Sequence, residues 1–148
     1  MRQYLEVKAN HEDAILLFRM GDFYEMFFDD AVVAAEALEL TLTSRDKNKE
    51  DGVPMCGVLH HAAPGYVRRL LDQGFKVAIC DQVEDPRAAR GLVKRAVTRV
   101  ITPGVVLDAD HLDSGTNNYL VTLRRGEDGQ RHGIAALDLS TFELSATE

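Results

Sequence analysis

AILLFRMGDFYEMFFDDAVVAAEALEL, residues 14–40, decides the fold of this chain. Ala14 to Phe18 is a compact apolar run of strand length, and Gly21-Asp22 interrupts it. Phe23 to Phe28 then resumes an apolar, β-favouring stretch, so the segment reads as a hairpin turning near Gly21. Asp29-Asp30 and the alanine-rich AVVAAEALEL follow. Two acids at its start and alanines throughout make this a helix with the acids capping its N-terminal end.

Working outward, residues 2–10 read as a short helix with Tyr4 and Leu5 as apolar contacts. Leu40 to Thr43 reads as a strand, and 46–52 (DKNKEDG) as an exposed loop. Val53 to Leu59 is a short buried segment containing Pro54 and Gly57. Tyr66, Val67, Leu70 and Leu71 stand at helical spacing within 62–73, and Gly74 closes that helix. Phe75–Cys80 and Arg95–Thr102 alternate as strands. The order β-β-α-β, then α-β and α-β, gives an α/β (α+β) fold, a mixed β-sheet surrounded by helices. The acidic, small-residue stretch DADHLDSGT (108–116) reads as a linker. Beyond it the pattern changes to strands at 119–125 and 133–140, a third starting within 141–147, and a turn at 126–129.

The chain has 148 residues, 45% hydrophobic and 28% charged, enough for a core without staples. No apolar run approaches the ~20 residues of a membrane-spanning helix. The N-terminus lacks the basic-then-apolar pattern of an export signal. Cys56 and Cys80 are too few for a disulfide scaffold, so they read as reduced core residues of a cytosolic protein. The net charge of −7 argues against a nucleic-acid binder at first sight, but the charge is uneven. Residues 41–107 carry 11 basic against 7 acidic residues, and both flanks are acidic. Arg87 to Arg99 holds five basic residues and no acid, a solvated face or a stripe for phosphates.

Candidate chemistry is sparse. No GxxxxGK[ST] string is present, so no nucleotide hydrolysis can be placed here. His60-His61 diverge as neighbours on any regular element, which favours a helix-start role over a metal site. The acids at 29–30 and 108–113 are explained by a helix start and a linker better than by a two-metal centre. The string Met20 to Phe28 is different: it sets five large apolar side chains beside two acids at a turn. On an extended strand Phe23 and Glu25 share a face and Tyr24 takes the other. A carboxylate beside a phenyl ring suits either the rim of an aromatic core or a ring wedged into a partner whose polar edge meets the acid.

At this point the chain resembles the bacterial MutS family of DNA mismatch-repair proteins. FRMGDFYEMFFDDA (18–31), LTLTSR (40–45), VPMCGV (53–58), QGFKVAICDQVEDP (73–86), KRAVTRVITPGV (94–105) and ALDLSTFEL (136–144) look like family sequence in family order. The resemblance implies a mismatch-recognition domain over 1–110, a linker at 111–116, and over 117–148 the first antiparallel strands of a ribonuclease-H-like connector. It implies mismatched double-stranded DNA as the partner. Phe23 would be a wedge entering the minor groove and Glu25 the group that hydrogen-bonds the displaced base. Met20 and Asp22 would flank the wedge, Pro54 and Met55 would line the groove, and Arg45 and Arg99 would lie near the DNA backbone. Leu59-His60 departs from the Pro-Tyr common at this place in the family, which concerns the local turn.

The resemblance implies no catalysis and no cofactor in these residues. ATP and Mg2+ belong to the full-length family, as do homodimers, a downstream MutL-family factor and a cytoplasmic, nucleoid-associated location. Two rival classes remain at this stage. One is a metal-dependent nuclease on the later strands, where only Asp138 stands on a strand. The other is an acidic protein-interaction module.

Overall fold

The protein is described here by a computed structural model covering residues 1–45, 52–84, 91–103, 117–127 and 129–148. It divides into two units, Met1–Pro103 and Gly104–Glu148. Residues 104–116 lie outside the described residues, and so does the linker expected within them. The same holds for most of the 46–52 loop and for Arg87 and Arg90.

The first unit runs α1 (Arg2–Lys8), β1 (Ile15–Met20), β2 (Phe23–Phe27), α2 (Phe28–Leu38), β3 (Thr43–Arg45) and β4 (Val53–Leu59). A 3-10 turn (His60–Ala62) leads into α3 (Ala63–Asp72), then β5 (Val77–Gln82) and β6 (Arg95–Ile101). The six strands form one mixed sheet in the order β3-β4-β2-β1-β5-β6. Among the described strands only β1 and β5 pair in parallel, with Leu16 beside Ala78 and Phe18 beside Cys80. The expected β1–β2 hairpin is present, and Gly21 at its turn has φ +58°, a conformation cheap only for glycine.

Side chains alternate across this sheet, so each face has its own core. On one face Leu16, Phe18, Phe27, Ala78 and Cys80 are buried with Tyr4 of α1. The Tyr4 ring meets Phe18 and Phe27 edge-on at 5.6 and 5.0 Å between centroids. On the other face Leu17, Met26, Cys56 and Val58 are buried. The Cys56 Sγ lies 3.4 Å from the Ala31 carbonyl of α2. Cys56 and Cys80 are both free and buried, as expected for core residues.

Three local readings shift. The strand expected at Leu40–Thr43 forms at Thr43–Arg45 instead. The reason is the end of α2: Glu39 takes a left-handed φ of +57°, and the Leu40 N–H reaches back to the Ala35 carbonyl. Residues 39 and 40 are thus spent closing the helix. Likewise Phe75 N–H closes α3 on the Leu70 carbonyl, so β5 starts only at Val77. The acid pair does stand in the first turn of α2, but neither side chain caps it. Asp30 instead turns inward and is only 8% exposed. Its carboxylate accepts from the Tyr4 hydroxyl (3.0 Å), the Leu16 N–H (3.0 Å) and the Lys8 Nζ (2.9 Å). One side chain therefore joins α1, β1 and α2.

His60–Ala62 plays the helix-start role expected for the histidine pair. The Leu59-His60 departure is absorbed there, because the His60 N–H donates to the Asp22 carbonyl at 2.9 Å. The second unit is an antiparallel meander of β7 (Tyr119–Arg125), β8 (His132–Asp138) and β9 (Leu144–Thr147). No helix among the described residues is long and apolar enough to cross a membrane.

Candidate nucleic-acid interface

Strand β2 carries Phe23, Glu25 and Phe27 on the face covered by α1, and Tyr24 and Met26 on the other. The two phenylalanines differ sharply. Phe27 lies under α1 at 1% exposure, whereas Phe23, one pleat beyond Glu25 and next to the hairpin turn, is 44% exposed. Its cross-strand neighbours are Met20 on β1 and Leu59 on β4, and Leu59 is itself 40% exposed. The sheet thus ends in an open apolar corner with the Phe23 ring at its centre.

Glu25 is half-buried between Phe18 on β1 and Gly57 on β4. Burial raises its pKa above the usual carboxylate range, and the positive charges of Arg45 and Arg95 pull it back. Those arginines are held over the core rings of the same face, Arg45 at 5.8 Å from the Phe27 centroid and Arg95 at 5.2 Å from that of Phe18. Arg95 also donates to the Arg19 and Val93 carbonyls and to Gln3 Oε1. It is therefore packed inward, contrary to a merely solvated basic stripe. A cavity of about 330 Å³ opens on this face under α1, with Arg2, Tyr4, Phe18, Phe27, Arg45 and Arg95 in its walls.

Of the residues singled out in the sequence, the register places Met20, Phe23, Glu25, Arg45 and Met55 on one face. Asp22 stands exposed at the hairpin tip. Pro54 pairs with Ser44 and has the parity of Cys56, which belongs to the opposite face, packed against α2. Arg99 is also set apart: a register shift between Ile79 and Cys80 pairs it with Ile79, on the parity of Tyr24. Arg95, Leu59 and Gly57 join the face, noted in the sequence but not as contact residues. Leu59 and Arg95 depend on long-range pairing that local pattern does not reveal. Gly57 gave a local signal, since a glycine inside a strand often marks a close approach.

That approach is tight. A Cβ at Gly57 would lie 3.2 Å from the Tyr24 carbonyl oxygen and 3.5 Å from the Glu25 Cγ. Gly57→Val should therefore overpack the site and cost about 1–3 kcal/mol. Urea unfolding checks this, and an unmoved midpoint would show that the gap is roomy.

The face offers stacking, hydrogen bonding and positive charge. Among the described residues no three His, Cys, Asp or Glu side chains converge to hold a metal ion. Asp138, the acid of interest for a nuclease, accepts backbone N–H bonds from Ser140 (2.9 Å) and Asn118 (3.2 Å). Those bonds, that from Ser140 foremost, hold its pKa below the usual carboxylate range.

Residues 1–110 match the family model described as MutS domain I. A DNA mismatch repair protein MutS of Syntrophobacter fumaroxidans is 60% identical over all 148 residues. Those of Desulfatibacillum aliphaticivorans and a Geobacillus species are 58% and 55% identical over 148 and 147 residues. The chain spans only 17%, 16% and 17% of the lengths of these relatives. By the extent of the domain match and these identities, the chain belongs to the MutS family.

Proposed function

We propose that this chain recognises mismatched duplex DNA in mismatch repair, with Phe23 as the wedge and Glu25 as the hydrogen-bonding group beside it. The observation that carries the reading is the exposure of Phe23, on the same strand face as fully buried Phe27. Family membership and the relatives' printed name support it.

Phe23 enters from the minor groove and stacks on the mispaired base, and the wedge kinks the duplex. A mismatch has already lost pairing and stacking, so kinking costs less there than in paired DNA, where bending costs on the order of 1–6 kcal/mol. Discrimination is thus largely a measurement of deformability. Arg45 lies on the same face and supplies positive charge toward the phosphates. The chain's own part is binding. ATP hydrolysis with Mg2+, pairing with a second subunit and contact with a MutL-family factor fall to the full-length protein in this reading.

Anisotropy titration of a mismatched and a matched duplex, at low and moderate salt, tests the proposal. The mismatched duplex should bind more tightly, and log affinity should fall with log salt by about 0.9 per phosphate contact. Equal, salt-insensitive binding would return the chain to the protein-interaction class. Glu25 adds a pH signature. Burial raises its pKa, and nearby phosphates raise it further, so the protonated carboxyl can donate to a base nitrogen. Preference for the mismatch should therefore weaken as pH rises through that pKa. Glu25→Gln, a permanent donor, should flatten the dependence; a pH profile unchanged by the substitution would remove Glu25 from the contact.

A further inference from the structure

Behind the proposed wedge, on the opposite face of the sheet, stands a chain of polar side chains that joins β2, β5 and β6. Tyr24 lies between Phe23 and Glu25 on β2, and its hydroxyl donates to Asp81 Oδ1 on β5 at 2.5 Å. That bond reaches over β1, which lies between the two strands. The second carboxylate oxygen, Oδ2, accepts from the Thr98 hydroxyl on β6 at 2.6 Å. Thr98 sits where the β5–β6 register shifts, between Val97 opposite Cys80 and Arg99 opposite Ile79. The irregularity thus coincides with the residue that completes the chain. On β1, Arg19 holds its guanidinium 5.5 Å from the centre of the Tyr24 ring. Its Nε donates to the Gly21 carbonyl at 2.6 Å, fixing the hairpin turn.

We propose that Tyr24, braced by Asp81, Thr98 and Arg19, is a positioning residue that sets the direction in which Phe23 and Glu25 leave the strand. The physical basis is the pleat. The two peptide planes around Tyr24 define the Cα–Cβ vectors of both neighbours, so anchoring its side chain at ring and hydroxyl fixes the pair together. A wedge that must meet a kinked base step works only if its aim is held within about 0.5 Å. Half-burial of the tyrosine and its bond to Asp81 push its pKa to about 12, so the hydroxyl remains a donor across the range of use. The inference rests on the wedge reading above and deepens it.

The test uses the 148-residue chain, and the same chain in place of the matching segment of a full-length relative. Tyr24→Phe keeps the ring under Arg19 and removes only the hydroxyl. The preference for mismatched over matched duplex should fall by up to about tenfold, the upper end for one ordinary hydrogen bond, with matched-duplex affinity unchanged. Asp81→Ala should behave alike, whereas Asp81→Asn, which keeps an acceptor for Tyr24, should restore the preference. Side-chain NMR relaxation of a labelled Phe23 ring, without DNA, should show added motion in Tyr24→Phe and Asp81→Ala only. A preference and a ring mobility both unchanged in Tyr24→Phe would overturn the brace while leaving the wedge intact. Phe23→Ala separates the two failures: if it retains the preference the wedge reading falls, and the relaxation data alone then decide whether the brace orders position 23.

Discussion

Phe23→Ala should erase most of the preference for a mismatch while leaving the fold almost untouched. Stacking of a base on an aromatic ring contributes about 1–3 kcal/mol, so the lost preference is on the order of 5- to 150-fold. Matched DNA, which resists the kink, never receives the full insertion and should lose little. The ring is 44% exposed, so its removal leaves no sealed cavity in the protein. The control is built into the same strand. Phe27→Ala removes a ring at 1% exposure from beneath Tyr4, and should cost about 3–5 kcal/mol of stability. Paired titrations on matched and mismatched duplexes, beside urea unfolding of both variants, separate a probe from a core residue. Unaltered discrimination in Phe23→Ala would end the wedge assignment.

The second large effect is expected at Asp30, inside the protein. Its carboxylate is the shared acceptor for Tyr4, Leu16 and Lys8, and the Lys8 ammonium makes an ion pair with it at 2.9 Å. Truncation to alanine would take the carboxylate acceptor from the buried Leu16 N–H, and would leave the Tyr4 hydroxyl with only the Phe27 carbonyl and the Lys8 ammonium with carbonyls but no counter-charge. Breaking such a group by deleting one partner typically costs about 3–5 kcal/mol. That is a large share of the about 5–15 kcal/mol that holds a domain folded. Asp30→Ala should therefore lower the denaturant midpoint more than any surface substitution and loosen α1 first. Hydrogen exchange along Arg2–Lys8, read with the unfolding curve, checks both parts. A loss below about 1 kcal/mol would mean that water replaces the carboxylate, contrary to its burial. Tyr4 itself remains a donor, because burial and then the Asp30 charge drive its pKa far upward.

Much of this was legible in the chain because the deciding signals are local. The Gly21 turn, the two apolar runs around it and the alanines of α2 each act over a few residues. The change of pattern near residue 117 did announce a separate antiparallel sheet. What was not legible depends on distant partners. Nothing near Ile15 says that β1 lies in parallel beside β5, and only that pairing puts Arg95 on the wedge face. A one-residue irregularity moves Arg99 to the other parity, which no periodicity around residue 99 signals. Two acids before alanines read as a helix start, yet a tyrosine from α1 decides that Asp30 points inward. Even Leu40–Thr43, apolar and β-branched enough for a strand, yields to the closing of the preceding helix.

Strand β2 lies inside the sheet, paired with β1 on one side and β4 on the other. In the proposed reading, a duplex bent around Phe23 would push back along the ring. On a border strand such a thrust could unzip the ladder one bond at a time, like peeling tape. Flanked on both sides, β2 would pass the thrust to β1 and β4 at once, through the Met20 and Leu59 pairs and those behind them. The stiffness of DNA would thereby meet a strand held from both sides, and the compliance would fall on the nucleic acid.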